Sequence, residues 1–270
     1  MTIEEARLRV ARWLESDKKS CLDLTRLCLT ELPDNFPPDF NGRLFCGYNK
    51  LTSLVLLLVN MVHCQNNLLT RLELPMAVDV DCSDNLLNSL SLPVAIEVIC
   101  SGNELVSLLC PLATKVYCAG NLLTSLHLPM ANHVNCSNNI LNHLNAPVAQ
   151  MVFCQKNCLR SLSLPLAIEV NCSFNNLFHL YLPVVLEVDC SGTPLWTVGK
   201  RTNELTCVNF PMAIKVNCSN NCLSTLLCPV ASEVNCANNQ LTELSLPEAL
   251  QVDCSGNKLQ TMFLPKVVQL

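Results

Sequence analysis

Charge is scarce in this chain: Asp, Glu, Lys and Arg make up 14% of its 270 residues, against about 25% in an average soluble domain. With half of the residues hydrophobic, that scarcity excludes a disordered polymer and requires a packed core. Clusters of Lys and Arg are missing, and the net charge is -5, so nucleic acid is not expected as the main partner. A basic protein partner suits the balance better. Long apolar runs are missing too; the longest, Leu54 to Val59, is far short of the roughly 20 residues that span a bilayer, and no membrane role is expected. The opening "MTIEEARLRV" carries Glu4 and Glu5 where a secretory leader needs positive charge, so no signal peptide is expected. No Cys-x-x-Cys occurs among nineteen cysteines. Nor is there a phosphate loop, a Gly-x-Ser-x-Gly elbow or a His-Glu-x-x-His pair, so no cofactor, metal or catalytic centre is expected.

What is present is a period. From Val62 to Gln269 the chain repeats V-x-C-x-x-N-x-L-x-x-L-x-L-P-x-A-x-x about every eighteen residues, the signature of a solenoid whose coils stack to bury what none can bury alone. In "VICSGNELVSLLCPLATK" (98–115), Val98 and Cys100 lie two apart and face inward on an extended strand, while Ile99 faces out. Twelve cysteines, from Cys46 to Cys254, fill one position of the repeat. In the first coil Leu24 takes that place, with Leu22 for valine and Leu27 for asparagine. That gives thirteen coils and marks the cysteine as a small buried hydrophobe, reduced rather than bridged. A reducing compartment is its natural setting.

The asparagines from Asn49 to Asn257 form a second column, in which a buried amide supplies both donor and acceptor to backbone groups leaving the strand. Eleven prolines, Pro75 to Pro265, form a third. They fix φ and lack an N–H, so the outer side of each coil is expected to be extended or polyproline-like and non-helical.

The stretches "LDLTRLCLTELP" (22–33) and "LFCGYNKLTSL" (44–54), with each later V-x-C-x-x-N-x-L-x-x-L, resemble the leucine-rich repeats of bacterial effectors of the IpaH and YopM type. The resemblance covers nearly the whole chain. It departs from that family in having a shorter repeat and a single Leu-Pro step. It implies a mainly β solenoid with a parallel sheet on the concave face. Residues 1–20 are expected to be an N-terminal capping helix, with Thr2 and Glu5 as a capping box and Ile3, Ala6, Val10, Trp13 and Leu14 as its apolar stripe. Residues 21–270 form the solenoid. No comparable cap is expected after Leu264, so the last strand edge is expected to be covered either by the tail or by another molecule, end-to-end self-association being one form of the latter.

Two candidate contact regions stand out. Ile99, Tyr117, Met151, Phe153 and Phe174 form an expected apolar cluster on the outward face. Around it Asp79, Asp81, Glu97, Glu169, Glu187, Asp189, Glu233 and Asp253 outnumber Lys115 and Lys215, a field that attracts a basic segment. The second is an insertion near 193–202, where Thr193 stands in the asparagine position and the phrase resumes at Asn203. It carries Trp196, Lys200 and Arg201, and loops inserted on a regular scaffold often bind partners. Cys207 falls in a column of Ser53, Arg71, Ser89, Ser107 and His143, and should be more exposed than the other thiols.

IpaH-type relatives add a C-terminal ubiquitin-ligase domain with a catalytic Cys-x-Asp. Here Cys-x-Asp occurs only at Cys21 and Cys82, inside the repeat pattern or its entry. The resemblance to YopM-type proteins, which consist of little beyond repeats, implies a non-enzymatic scaffold that binds a protein through its concave face, as an effector in a host cell. Two readings stay open beside it: the substrate-recognition subunit of a ubiquitin-ligase-type assembly, and a structural protein that stacks end to end. The expected location is a bacterial cytoplasm or, for a secreted effector, the host cytosol.

Overall fold

The computed structural model describes residues 3–16, 20–193 and 202–268 and separates the chain into two compact units, 1–131 and 132–270. Both are β-solenoids of parallel three-residue strands, one strand of the main sheet per coil. In the first unit these run Leu22–Asp23, Arg43–Phe45, Met61–His63, Asp79–Asp81, Glu97–Ile99 and Lys115–Tyr117. Val62, Val80, Val98 and Val116 stand in register. In the second they run His133–Asn135, Met151–Phe153, Glu169–Asn171, Glu187–Asp189, Lys215–Asn217, Glu233–Asn235 and Gln251–Asp253, with their valines aligned from Val134 to Val252. From Met61–His63 onward each strand buries its central valine, and the cysteine that follows is buried in all but the last coil, as the V-x-C spacing requires; Leu22, Leu24 and Leu44 are buried in the matching places of the first two coils.

On the far side of the later coils the segment around the first leucine of L-x-L forms a second three-residue strand. These pair in twos, such as Ser89–Ser91 with Ser107–Leu109 and Ser161–Ser163 with His179–Tyr181. The prolines that follow do not continue as polyproline. Most sit second in a β-turn closed by the alanine N–H two residues later: Ala77 donates to the Leu74 carbonyl at 3.3 Å and Ala231 to that of Cys228 at 3.2 Å. Proline presets φ for that turn position, and the alanine, pointing inward, is fully buried (Ala77, Ala167 and Ala249).

The asparagine column is the hydrogen-bond ladder that the repeat predicts. Asn67 Oδ1 accepts from the Leu51 N–H of the preceding coil at 3.0 Å, and its Nδ2 donates to the Cys46 and Cys64 carbonyls at 3.0 and 2.9 Å. Other coils repeat the pattern. At the insertion the ladder is handed on: Asn203 accepts from Leu177 N–H at 3.0 Å and donates to Cys172 and Cys190 at 3.2 and 3.0 Å. The Thr193 N–H meets Thr202 Oγ1 at 3.2 Å, closing the mouth of the inserted segment.

Helix α1 (Ile3–Glu15) lies over the first coil. Ala6, Val10 and Trp13 are buried, and the Trp13 ring packs 5.0 Å from Phe40 while its N–H donates to the Ser20 carbonyl at 2.9 Å. Leu14, expected on the apolar stripe, is 37% exposed, at the margin of the contact. Thr2 of the expected capping box lies outside the described residues; Glu5 pairs with Arg9 at 2.9 Å.

One feature of nearly every coil went unread in the sequence. The residue two after the cysteine adopts a left-handed backbone: Asn66, Asp84, Gly102, Gly120, Asn138, Asn220, Asn238 and Gly256 do so, and so do Tyr48, Lys156 and Phe174, at φ near +57°, while Gly192, beside the insertion, does not. Asn, Asp and Gly tolerate this region, while other residues pay about 1 kcal/mol or more there. Lys156→Gly is therefore expected to raise stability by about 1 kcal/mol, visible as a higher midpoint in urea with an unchanged slope.

Candidate functional site

The outward side chains of the main sheet occupy two columns, the first and third residues of each strand. The third is divided between surface and structure. Asp81, Asp189 and Asp253 turn a carboxylate oxygen onto the backbone N–H two residues on, at 3.0 Å in each case. Asn135, Asn171, Asn217 and Asn235 do the same with their amide oxygens. This is an Asx turn, and it explains why Asp and Asn alternate freely there.

Where Asp and Asn give way, the column carries larger groups. Tyr117 stands beside Ile99 in register in the first unit, and Phe153 beside Asn171 in the second, with Met151 at the start of the same strand. All four are half-buried rather than protruding. Phe174 does not join them on the sheet face, because the strand ends at Asn171 and Phe174 occupies the left-handed turn position. Trp196, Lys200 and Arg201 lie outside the described residues.

In the second unit the outward face forms an open trough of about 1010 Å³. Phe153 stands at one end and Asp253 at the other. Between them Glu169, Glu187, Asp189 and Glu233 line the walls with a single cation, Lys215, which reaches Glu233 at 3.4 Å. Glu169 and Glu187 face each other in register. The trough is acidic, long in the stacking direction and lined along its length by the strand valines and by Asn171, Asn217 and Asn235, so it suits an extended segment carrying positive charge better than a compact small molecule. Among the described residues no group of three His, Cys, Asp or Glu could hold a metal, and no helix is long and apolar enough to cross a membrane.

A row of exposed aliphatic side chains lies elsewhere. On either side of each buried alanine, where the chain turns from outer strand to main strand, stand Leu166 and Ile168 (52% and 41% exposed), then Met212 and Ile214 (52% and 45%), with Val184 and Val230 between and beyond. The first unit carries Met76, Val78, Ile96, Leu112 and Met130 in the same positions. These residues flank every Ala of the P-x-A-x step, so the signal was present in the sequence, but alternation about an inward alanine shows only once the turn is known.

The thiol column is dry. Cys46 through Cys236 are buried, Cys254 in the last coil is half-buried, and Cys28 and Cys207 are exposed. Burial pushes Cys46, Cys154 and Cys236 up to about 12, because a thiolate there has lost its water. These sulfurs are packing groups.

In fold the chain is a leucine-rich-repeat solenoid. It is similar to YopM, a leucine-rich effector protein from Yersinia pestis, with a TM-score of 0.63 and 23% identity over 99% of this chain and 86% of that one. It also resembles the leucine-rich repeat domain of APL1B, with a TM-score of 0.70 and 18% identity over 96% and 91%. The Leptospira interrogans protein LIC12759 gives 0.61 and 18% over 81% and 67%. At these identities the likeness is one of fold. No protein family and no curated protein matches the sequence.

Proposed function

We propose that the protein is a non-enzymatic recognition scaffold that holds a basic, extended segment of a partner protein in the trough of its second unit. The observation that carries this reading is the trough itself, walled by carboxylates with one lysine and closed at one end by Phe153. Leucine-rich-repeat solenoids, a bacterial effector among them, share the fold. That likeness supports an effector role in a host cytosol. A reducing compartment follows from the same reading, since stacked buried thiols keep their packing only while unbridged.

The test uses the alternation of Asp and Asn. Asp189→Asn with Asp253→Asn keeps the Asx turn, as Asn217 and Asn235 show, and removes two charges from the trough. Binding of a lysine-rich peptide, followed by fluorescence anisotropy at low salt, should weaken about fivefold, equivalent to ~1 kcal/mol, with unfolding unchanged. Equal affinity for the variant, or equal affinity for a glutamate-rich peptide, would refute the reading.

A further inference from the structure

The aliphatic ridge on the turn edge of the second unit borders the trough and shares with it the wall formed by Glu169 and Glu187. Its core is Leu166, Ile168, Val184, Met212, Ile214 and Val230, each at least 36% exposed. It narrows along the stack: Gln150 takes one of its two rows on one side, where Val148 (39% exposed) keeps the other, and Ser232 with the Glu248–Lys266 ion pair at 2.5 Å does the same on the other, where Leu250 (46%) follows. An apolar strip that is widest at its centre and more polar toward its rim is the usual form of a protein contact surface.

The spacing and the charge beside the strip define what fits. Adjacent coils lie about 4.8 Å apart, close to the roughly 5.4 Å at which an α-helix repeats its apolar stripe. A helix laid along the stack therefore presents about one aliphatic side chain to each coil. The next residue after Ile168 is Glu169, and Glu187 pairs with it in register. Other carboxylates in that row have cations: Asp79 is 3.4 Å from His63, Glu97 3.0 Å from Lys115 and Glu233 3.4 Å from Lys215. Lys215 stands in register beside Glu187 but makes its ion pair with Glu233 on its other side; among the described residues Glu169 and Glu187 have no cation within ion-pair distance, and like charges opposite one another on a sheet destabilise it. A cation supplied from outside relieves that repulsion.

We propose that this ridge docks an amphipathic α-helix of a partner protein, with aliphatic side chains on the ridge and Lys or Arg on the flank that meets Glu169 and Glu187. A second copy of the chain would bring the same two carboxylates against its own, and an anionic bilayer would meet the same repulsion. The ridge adds to the trough and does not depend on it, since Met212→Asp with Ile214→Asp alters only the ridge and Asp189→Asn with Asp253→Asn only the trough.

The experiment is a random peptide display selection on the wild-type protein with counter-selection against Met212→Asp, Ile214→Asp, followed by anisotropy and circular dichroism on synthetic copies of the enriched peptides. Enriched peptides should carry aliphatic residues at i, i+3 or i+4 and i+7 with adjacent Lys or Arg, and gain helicity on binding. They should bind the ridge variant at least about tenfold more weakly. Glu169→Gln, Glu187→Gln should weaken them about fivefold while raising the melting temperature, a combination that a merely structural role for the pair would not produce. The proposal falls if nothing is enriched, if the enriched peptides are acidic or bind extended, or if the ridge variant binds them equally. It also falls if sedimentation shows a wild-type dimer that the ridge variant abolishes, or if anionic vesicles bind and the ridge variant releases them.

Discussion

Asn175→Ala should destabilise the second unit by about 3 to 4 kcal/mol. The side chain is fully buried. Its Oδ1 is the acceptor for the Leu159 N–H at 3.0 Å, and its Nδ2 donates to Cys154 and Cys172 at 3.0 and 3.1 Å. The losses are unequal. The Cys154 carbonyl keeps a donor from Asn157 at 3.0 Å and the Cys172 carbonyl keeps one from Asn203 at 3.2 Å, so each gives up one of two bonds. The Leu159 amide loses the only acceptor described for it, and a buried orphan donor costs about 1–3 kcal/mol. The two weakened carbonyls and the small void supply the rest. Asn175→Asp should be at least as damaging, because it preserves the acceptor but sets a charge against two carbonyls. Asn257→Ala is the internal control: Asn257 is half-buried in the last coil and should cost about 1 kcal/mol. Urea unfolding of the three variants checks the order, and an Asn175→Ala variant within 1 kcal/mol of wild type would contradict the ladder account.

The second large effect is alkaline unfolding. A thiol exposed by unfolding ionises near the ordinary value of 9.0, whereas burial raises Cys46, Cys110, Cys154, Cys228 and Cys236 to about 12. Between those values the unfolded chain releases protons that the folded chain retains. Stability is therefore complete below pH 9 and declines as pH rises toward 12. The decline approaches about 1.4 kcal/mol per pH unit for each thiol, so the five together reach the size of the 5–15 kcal/mol that holds a typical domain within about two units. A cooperative loss of β-structure centred between about pH 10 and 11 is expected by circular dichroism. Cys154→Ala with Cys236→Ala should move the midpoint upward despite the lost sulfur contacts. A protein that stays folded to pH 12 would show that the column is wetter than its packing implies.

The inward half of the coil was legible because its chemistry is repeated without choice. Val98 and Cys100 must share a side on any strand, and an asparagine placed after each strand has few uses other than serving the backbone. The outward half was misread where one residue answers to two demands. Asp81 and Asp189 looked like free surface charge, yet each spends an oxygen on the amide two positions on; the recurring Asp or Asn followed by Ser at that spacing was the available clue. Phe174 looked like a strand residue because nothing in its own chemistry announces a left-handed turn. Only its column does, being otherwise rich in Asn, Asp and Gly. The aliphatic ridge was overlooked for a related reason: nothing in Ile168 or Met212 announces exposure until the proline turn shows that the alanine beside each has already taken the interior.

The hand-over from Asn175 to Asn203 means that the scaffold counts contacts rather than residues. So long as an asparagine returns to the same niche and the two ends of an excursion meet as Thr193 and Thr202 do, the coil above lies on the coil below undisturbed. The corresponding point of other coils, such as the step between Gly120 and Asn121, is therefore a ready seam for grafting foreign loops, where new specificity can be added without reworking the interior.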